Sequence, residues 1–129
     1  MKGLYDIHCH ILPGVDDGAR NMEESLWMLN KEYQEGVRHV ILTPHFRYDM
    51  FEPHMNIVTR QFMQLRRAAM NIGDEGMRLY LGCELHSVWI WWNALRRDGG
   101  LPLQVPDMCL WNSATEMRKI ILKNGSEVF

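Results

Sequence analysis

His8 and His10 stand two residues apart, Asp16 and Asp17 follow closely, His45 comes behind Thr43-Pro44, and Glu84 comes behind Gly82-Cys83. Imidazoles and carboxylates together suit borderline divalent ions such as Zn²⁺, Mn²⁺ or Fe²⁺. A carboxylate can also bridge two ions, and such a cluster activates water and clamps phosphate oxygens. Each residue alone has a plainer reading. A single His-x-His is weak, Asp-Asp-Gly is commonly a turn, His45 could be an ordinary loop histidine, and Glu84 a surface carboxylate. Their placement relative to the surrounding elements raises the weight of the chemical reading.

Leu4 to Cys9 reads as a short buried strand, in which positions i and i+2 face the same way, so both imidazoles can reach one ion. Residues 12–18 carry two glycines and a proline and read as a loop. Asn21 can cap the next helix, Glu23 and Glu24 suit its positive first turn, and Leu26, Leu29, Tyr33 and Val37 recur at helical spacing. Gly36 marks its stop, and Val37 to Thr43 is a second strand ending at Pro44. Strand, loop, helix and strand make a βαβ crossover. Residues 45–54 read as a polar loop, 55–72 as a helix, Met77 to Cys83 as a third strand and 87–97 as a helix with Trp89, Trp92 and Leu95 on one stripe. Residues 98–107 read as loop and Met108 to Trp111 as a fourth strand, and Ser113 with Glu116 matches a capping box opening a helix to about Asn124. Three successive strand ends thus each deliver a ligand-type residue, and in a parallel sheet those ends share a face.

The bulk properties narrow the function classes. The 129 residues are 47% hydrophobic and 23% charged with a formal net charge of −2, as in a globular chain of one domain. There is no basic stripe, so nucleic acid is not an expected partner, and Arg66-Arg67 and Arg96-Arg97 read as solvated faces or phosphate contacts. The three cysteines, Cys9, Cys83 and Cys109, form no C-x-x-C pair, which suggests free thiols in a reducing cytoplasm rather than a disulfide framework. The N-terminus reads as no signal peptide, and Val88 to Trp92 is too short to span a bilayer, so no membrane insertion is expected.

The stretch from Asp6 to Ala19, Asp-Ile-His-Cys-His-Ile-Leu-Pro-Gly-Val-Asp-Asp-Gly-Ala, closely resembles the opening of the PHP superfamily (polymerase and histidinol phosphatase). Within it, the chain resembles the bacterial manganese-dependent protein-tyrosine phosphatases of capsule and exopolysaccharide operons. Glu23-Glu24-Ser25-Leu26, Glu35-Gly36-Val37, Thr43-Pro44-His45 and Gly82-Cys83-Glu84-Leu85 resemble that branch too. The resemblance covers 4–54 most closely and 77–97 fairly, and thins over the tail, 98–129. It implies an α/β fold, the N-terminal part of a distorted (β/α)7 barrel, built here as an open, mostly parallel sheet of three or four strands with helices. It implies hydrolysis of phosphotyrosine by metal-activated water, with Mn²⁺ as cofactor and Zn²⁺, Fe²⁺ or Co²⁺ as alternatives. Its substrate would be a phosphotyrosine protein such as a bacterial tyrosine kinase. Carried over by position, His8 and His10 would hold one metal, Asp17 and His45 another, and Glu84 would bridge two ions. Arg47 lies where a phosphate-facing catalytic residue is plausible. Asp16 and His86 would stand behind the ligands, as would Cys9, whereas His39 and His54 match no ligand position.

Members of that family are longer, and their later strands supply a His-Pro-Glu-Arg type motif and a late Asp-x-His motif. Neither occurs in this sequence, whose last histidine is His86. The chain therefore reads as one partial domain, 1–129, with its motifs in 1–97, truncated where the next ligand-bearing strand would begin. Half a barrel leaves an unpaired edge and an uncovered apolar face, which calls for a partner or an oligomer. Three functions compete: a tyrosine phosphatase, an inactive remnant that still binds metal or serves as an interaction module, and a fragment with no selected function.

Overall fold

The structure, a computed structural model, describes residues 3–46, 51, 53–86, 108–112 and 119–122. Its elements in chain order are β1 (Leu4–Cys9), α1 (Met22–Gln34), β2 (Val37–Leu42), β3 (His45–Phe46), α2 (Met55–Ala69), β4 (Arg78–Leu81), β5 (Cys83–His86), β6 (Met108–Asn112) and β7 (Lys119–Leu122).

α1 begins where the Asn21 side chain accepts the Glu24 backbone N–H at 2.9 Å, with Glu23 and Glu24 in the first turn and Lys31 in the last. These charges match the helix dipole at both ends. The turn into β2 passes through Gly36 at φ +95°, a left-handed conformation that a side chain would strain. α2 lacks a side-chain cap, and the His54 carbonyl accepts its first N–H groups from Ile57 and Val58.

The strands form a three-stranded sheet ordered β1-β2-β4 and a four-stranded sheet ordered β3-β5-β6-β7. Every pairing is parallel except β6 with β7. β2 passes into β3 through Thr43-Pro44, and β4 into β5 through Gly82. Backbone hydrogen bonds carry the pairing across these breaks, from Gly82 N–H to Leu42 O at 2.8 Å and from Glu84 N–H to Pro44 O at 2.9 Å. The result is a mixed, mostly parallel α/β fold with two helices, consistent with part of an α/β barrel.

α1 packs on β2 and α2 on β4, and the two helices touch each other. Leu29, Val40, Leu42, Val58, Leu65, Ala69 and Leu79 form the core between helices and sheet. Side chains alternate along β2, so His39 turns away from that core. Its ring stacks on Tyr5 at 4.2 Å between centroids and on Tyr80 at 6.1 Å.

Several expectations need correction. Residues 45–54 do not form a loop throughout, because His45 and Phe46 pair with Glu84 and Leu85. The third strand is broken at Gly82, and Glu84 lies inside β5 rather than past a strand end. The helix expected to about Asn124 is overturned at Lys119–Leu122, which pair with β6. A capping-box pattern is local, and an Ile-Ile-Leu run with a strand edge beside it suits the ladder better. Among the described side chains, the expected free thiol holds for Cys9 and is overturned at Cys83, which is disulfide-bonded. Cys83 lies opposite Cys109 in the β5–β6 register, a neighbourhood that their distance in sequence conceals. The helix expected at 87–97, with its tryptophans, lies outside the described residues.

Candidate metal centre

The end of β1 is irregular. Its register against β2 slips between Asp6 and Cys9, and the His8 backbone N–H turns to the Asp6 carboxylate at 3.0 Å. Thr43, fully buried, fastens the strand end by accepting the Cys9 N–H and donating to the Cys9 carbonyl, both at 3.1 Å. Ser25 of α1, also buried, donates to the Ile11 carbonyl at 2.6 Å. Two hydroxyls from other elements therefore hold the segment on which both histidines sit.

The side chains converge on one carboxylate oxygen. His8 Nε2 and His10 Nε2 each lie 3.0 Å from Glu84 Oε2, and His45 Nδ1 lies 3.3 Å from it. Glu84 is only 2% exposed, so this carboxylate is withdrawn from water and needs compensating partners. The β3–β5 ladder sets His45 directly opposite Glu84, which explains how residues 39 positions apart meet. The His10 and His45 rings lie 4.3 Å apart, and Phe51 stacks on the other partner, His45, at 5.6 Å.

The loop between β1 and α1 is closed by hydrogen bonds from Gly14 N–H to Ala19 O and from Ala19 N–H to His10 O, at 2.8 and 2.9 Å. Gly18 packs directly on the His10 backbone, and a Cβ there would collide with the His10 carbonyl oxygen. The two aspartates of the loop point differently. Asp17 is exposed, with Oδ1 3.4 Å from His45 Nε2. The Asp16 side chain is wholly buried and contacts His10 Nδ1 at 2.9 Å, the His45 backbone N–H at 2.9 Å and the Gly18 backbone N–H at 3.0 Å.

These contacts govern titration. The hydrogen bond to Asp16 raises the His10 pKa, overcoming the opposite effect of burial, with the charges of Asp16, Glu84 and Asp17 adding to it. Burial pushes Asp16 upward, but hydrogen bonds from His10 and from the His45 and Gly18 backbones outweigh it, and the net shift is downward. Burial drives the Cys9 thiol upward, and it donates to the Ile41 carbonyl at 3.6 Å, an inert role rather than that of a nucleophile.

Two sets of ligand atoms lie within 4.8 Å of one another: His8, His10 and Glu84, and His10, Asp17 and His45. Either set could hold a divalent ion. The structure thus brings together His8, His10, Asp17, His45 and Glu84, and adds Asp16 behind His10. The division of ligands differs from that implied by the resemblance, since His10 belongs to both sets. Arg47 lies outside the described residues, and of His86 only its place in β5 is described. Sequence reasoning missed Thr43, Ser25 and Phe51. Thr43 is a polar residue closing the apolar run Val40-Ile41-Leu42, a signal that could have been read; Ser25, behind Glu23-Glu24, and Phe51 carry no such signal.

The capsular polysaccharide synthesis CpsB/CapC family model matches residues 4–127. The tyrosine-protein phosphatase CpsB of Streptococcus pneumoniae is 37% identical over 83 residues, 64% of this chain and 34% of that protein. CpsB of Streptococcus agalactiae is 36% identical over the same shares. The tyrosine-protein phosphatase YwqE of Bacillus subtilis is 36% identical over 64 residues, 50% of this chain and 25% of that protein. The matched part of the chain spans about a third or less of these relatives' length. With the family model matching nearly the whole chain around the His-x-His, Asp-Asp-Gly and Glu84 positions, the chain belongs to the CpsB/CapC family of capsular polysaccharide synthesis.

Proposed function

We propose that this chain is a metal-dependent phosphoesterase that hydrolyses phosphotyrosine in proteins. The observation that carries this reading is the buried Glu84 carboxylate with three imidazoles converging on one of its oxygens and Asp17 alongside. Three imidazoles and two carboxylates suit a borderline divalent cation, and the family resemblance points to Mn²⁺, with Zn²⁺, Fe²⁺ and Co²⁺ as alternatives. His8, His10, Asp17, His45 and Glu84 would hold the cation or cations. The chemistry a bound divalent ion supplies is Lewis acidity, which makes water a nucleophile near neutral pH and stabilises charge on phosphate oxygens.

The protein's own residues do the rest. Glu84 supplies a buried negative charge that favours cations at this spot. Asp17, exposed beside His45, places a second carboxylate next to the imidazoles. The names of the relatives support a phosphotyrosine substrate, and a bacterial tyrosine kinase as the phosphoprotein rests on the family resemblance. Among the described residues no helix is long and apolar enough to cross a membrane. The cytoplasmic location expected from free thiols loses that support with Cys83 disulfide-bonded. The alternative is metal binding without turnover, since the five candidate ligands alone suffice to hold a divalent ion.

Hydrolysis of p-nitrophenyl phosphate and of a phosphotyrosyl peptide, with Mn²⁺ and with chelator, tests both readings. Chelator-sensitive turnover above that of His8→Ala is expected. A melting temperature that rises with Mn²⁺ while turnover stays at the His8→Ala level would select the alternative, and absence of both responses would reject the metal centre.

A further inference from the structure

We propose that Asp16 is the positioning residue of this centre, holding His10 in the tautomer that presents Nε2 to the cation site and fixing the start of β3 so that His45 enters the same site. The inference rests on the reading that the site holds a cation.

The plain role of an aspartate before Asp-Gly is a turn in which its side chain accepts a nearby backbone N–H. Asp16 Oδ1 does that with the Gly18 N–H at 3.0 Å. A turn asks nothing of the second oxygen. Yet Oδ2 lies 2.9 Å from His10 Nδ1 and 2.9 Å from the backbone N–H of His45, which belongs to a different strand. One carboxylate thus joins the end of β1, the loop and β3, with its side chain wholly buried.

Chemistry sets the direction of the His10 contact. A carboxylate accepts, so His10 Nδ1 must carry the hydrogen. Nε2, 3.0 Å from Glu84 Oε2 and common to both ligand sets, is then the atom left to give its lone pair to a cation, which would displace the hydrogen that Nε2 otherwise shares with Glu84. Without Asp16, the Glu84 carboxylate alone would draw the ring hydrogen to Nε2. The His45 contact acts on the backbone. It holds β3 beside the end of β1, and the β3–β5 register then brings His45 opposite Glu84. Outer partners of this kind orient metal-binding histidines and raise their affinity.

An asparagine separates this role from mere packing. Its oxygen can take the place of Oδ2 and accept from both His10 and His45. Its amide then faces the Gly18 N–H, donor against donor, so the turn contact is lost while the two site contacts remain. Alanine loses all three.

The test combines long-range ¹⁵N NMR of the metal-free chain, which reports whether His10 Nδ1 carries a hydrogen, with Co²⁺ titration followed by its visible absorption. The expected results are a His10 Nδ1–H tautomer in the wild type, Co²⁺ binding roughly 10–100-fold weaker in Asp16→Ala, and an affinity for Asp16→Asn closer to wild type. An Nε2–H tautomer in the wild-type chain would overturn the proposal without any variant. So would an Asp16→Ala chain that binds Co²⁺ within about twofold of wild type, or an Asp16→Asn chain that binds as weakly as alanine while keeping its fold by circular dichroism. If Asp16→Ala does not fold, the wild-type tautomer and the asparagine variant decide. Wild-type protein that shows the Nδ1–H form but takes up no Co²⁺ would count against the metal reading and in favour of the hold of Asp16 on His10.

Discussion

Glu84 and Asp16 are two buried carboxylates with different duties. Glu84 faces three imidazoles, and Asp16 faces one imidazole and two backbone N–H groups. Their proximity has a consequence for the metal-free chain. His10 has a raised pKa, so its protonated form is favoured by folding. The stability this contributes is fully present below the ordinary histidine value of 6.5 and is lost as pH rises through the raised folded value. Asp16 has the opposite sense: its contribution is present above the ordinary value of 3.8 and is lost as pH falls through its depressed folded value. Thermal unfolding in chelator should therefore show the wild type losing more stability between about pH 6 and 9 than His10→Gln, whose replacement cannot titrate. Equal losses in the two proteins would contradict this assignment.

The elements behave as carriers of these side chains, and their ends matter more than their middles. His8 in β1 and His10 just past its end sit on an irregular terminus held by Thr43 and Ser25, while β2 and β4 each pass through a short break into a strand that carries a ligand. α1 supports this arrangement, because its first turn follows the Asp-Asp-Gly loop and its Ser25 grips Ile11. Removing the Asn21 side chain takes away the acceptor for the Glu24 N–H. Asn21→Ala should lower stability by about 1 kcal/mol, measured by urea unfolding with an unchanged m-value. The cost should be nearly independent of added Mn²⁺, because the Asn21 side chain accepts from the Glu24 N–H while the Ser25 contacts use the Asn21 backbone carbonyl, which alanine keeps.

In the molecule as described, the helices cover one face of the three-stranded sheet. Leu65 is fully buried among Val58, Ala69, Leu79 and their neighbours. Leu65→Ala should cost about 2–5 kcal/mol, read as a lower melting temperature, a large fraction of the stability of a small domain. The opposite face carries Tyr5 and Tyr80, 63% and 44% exposed, with His39 stacked between them. Parallel sheets are ordinarily covered on both sides, and among the described residues this face is partly open, consistent with part of an α/β barrel.

The sequence by itself determined the order of the first elements, the caps at Asn21 and Gly36, and the residue types of the centre: His-x-His, a carboxylate loop, His45 and Glu84. These are local features, since capping, periodicity and glycine punctuation act over a few residues. Tertiary structure alone decided the rest. Glu84 joins the histidines because β3 and β5 pair in one register, and a shift of one residue would turn its side chain to the other face. The same register logic placed Cys83 opposite Cys109 and drew Lys119–Leu122 into a strand against their local helix signal. Asp16 and Asp17 are neighbours of one type, yet one is buried behind His10 and the other stands at the rim. Which carboxylate faces inward depends on hydrogen bonds to a strand 29 residues away, a contact that neither residue type nor spacing encodes.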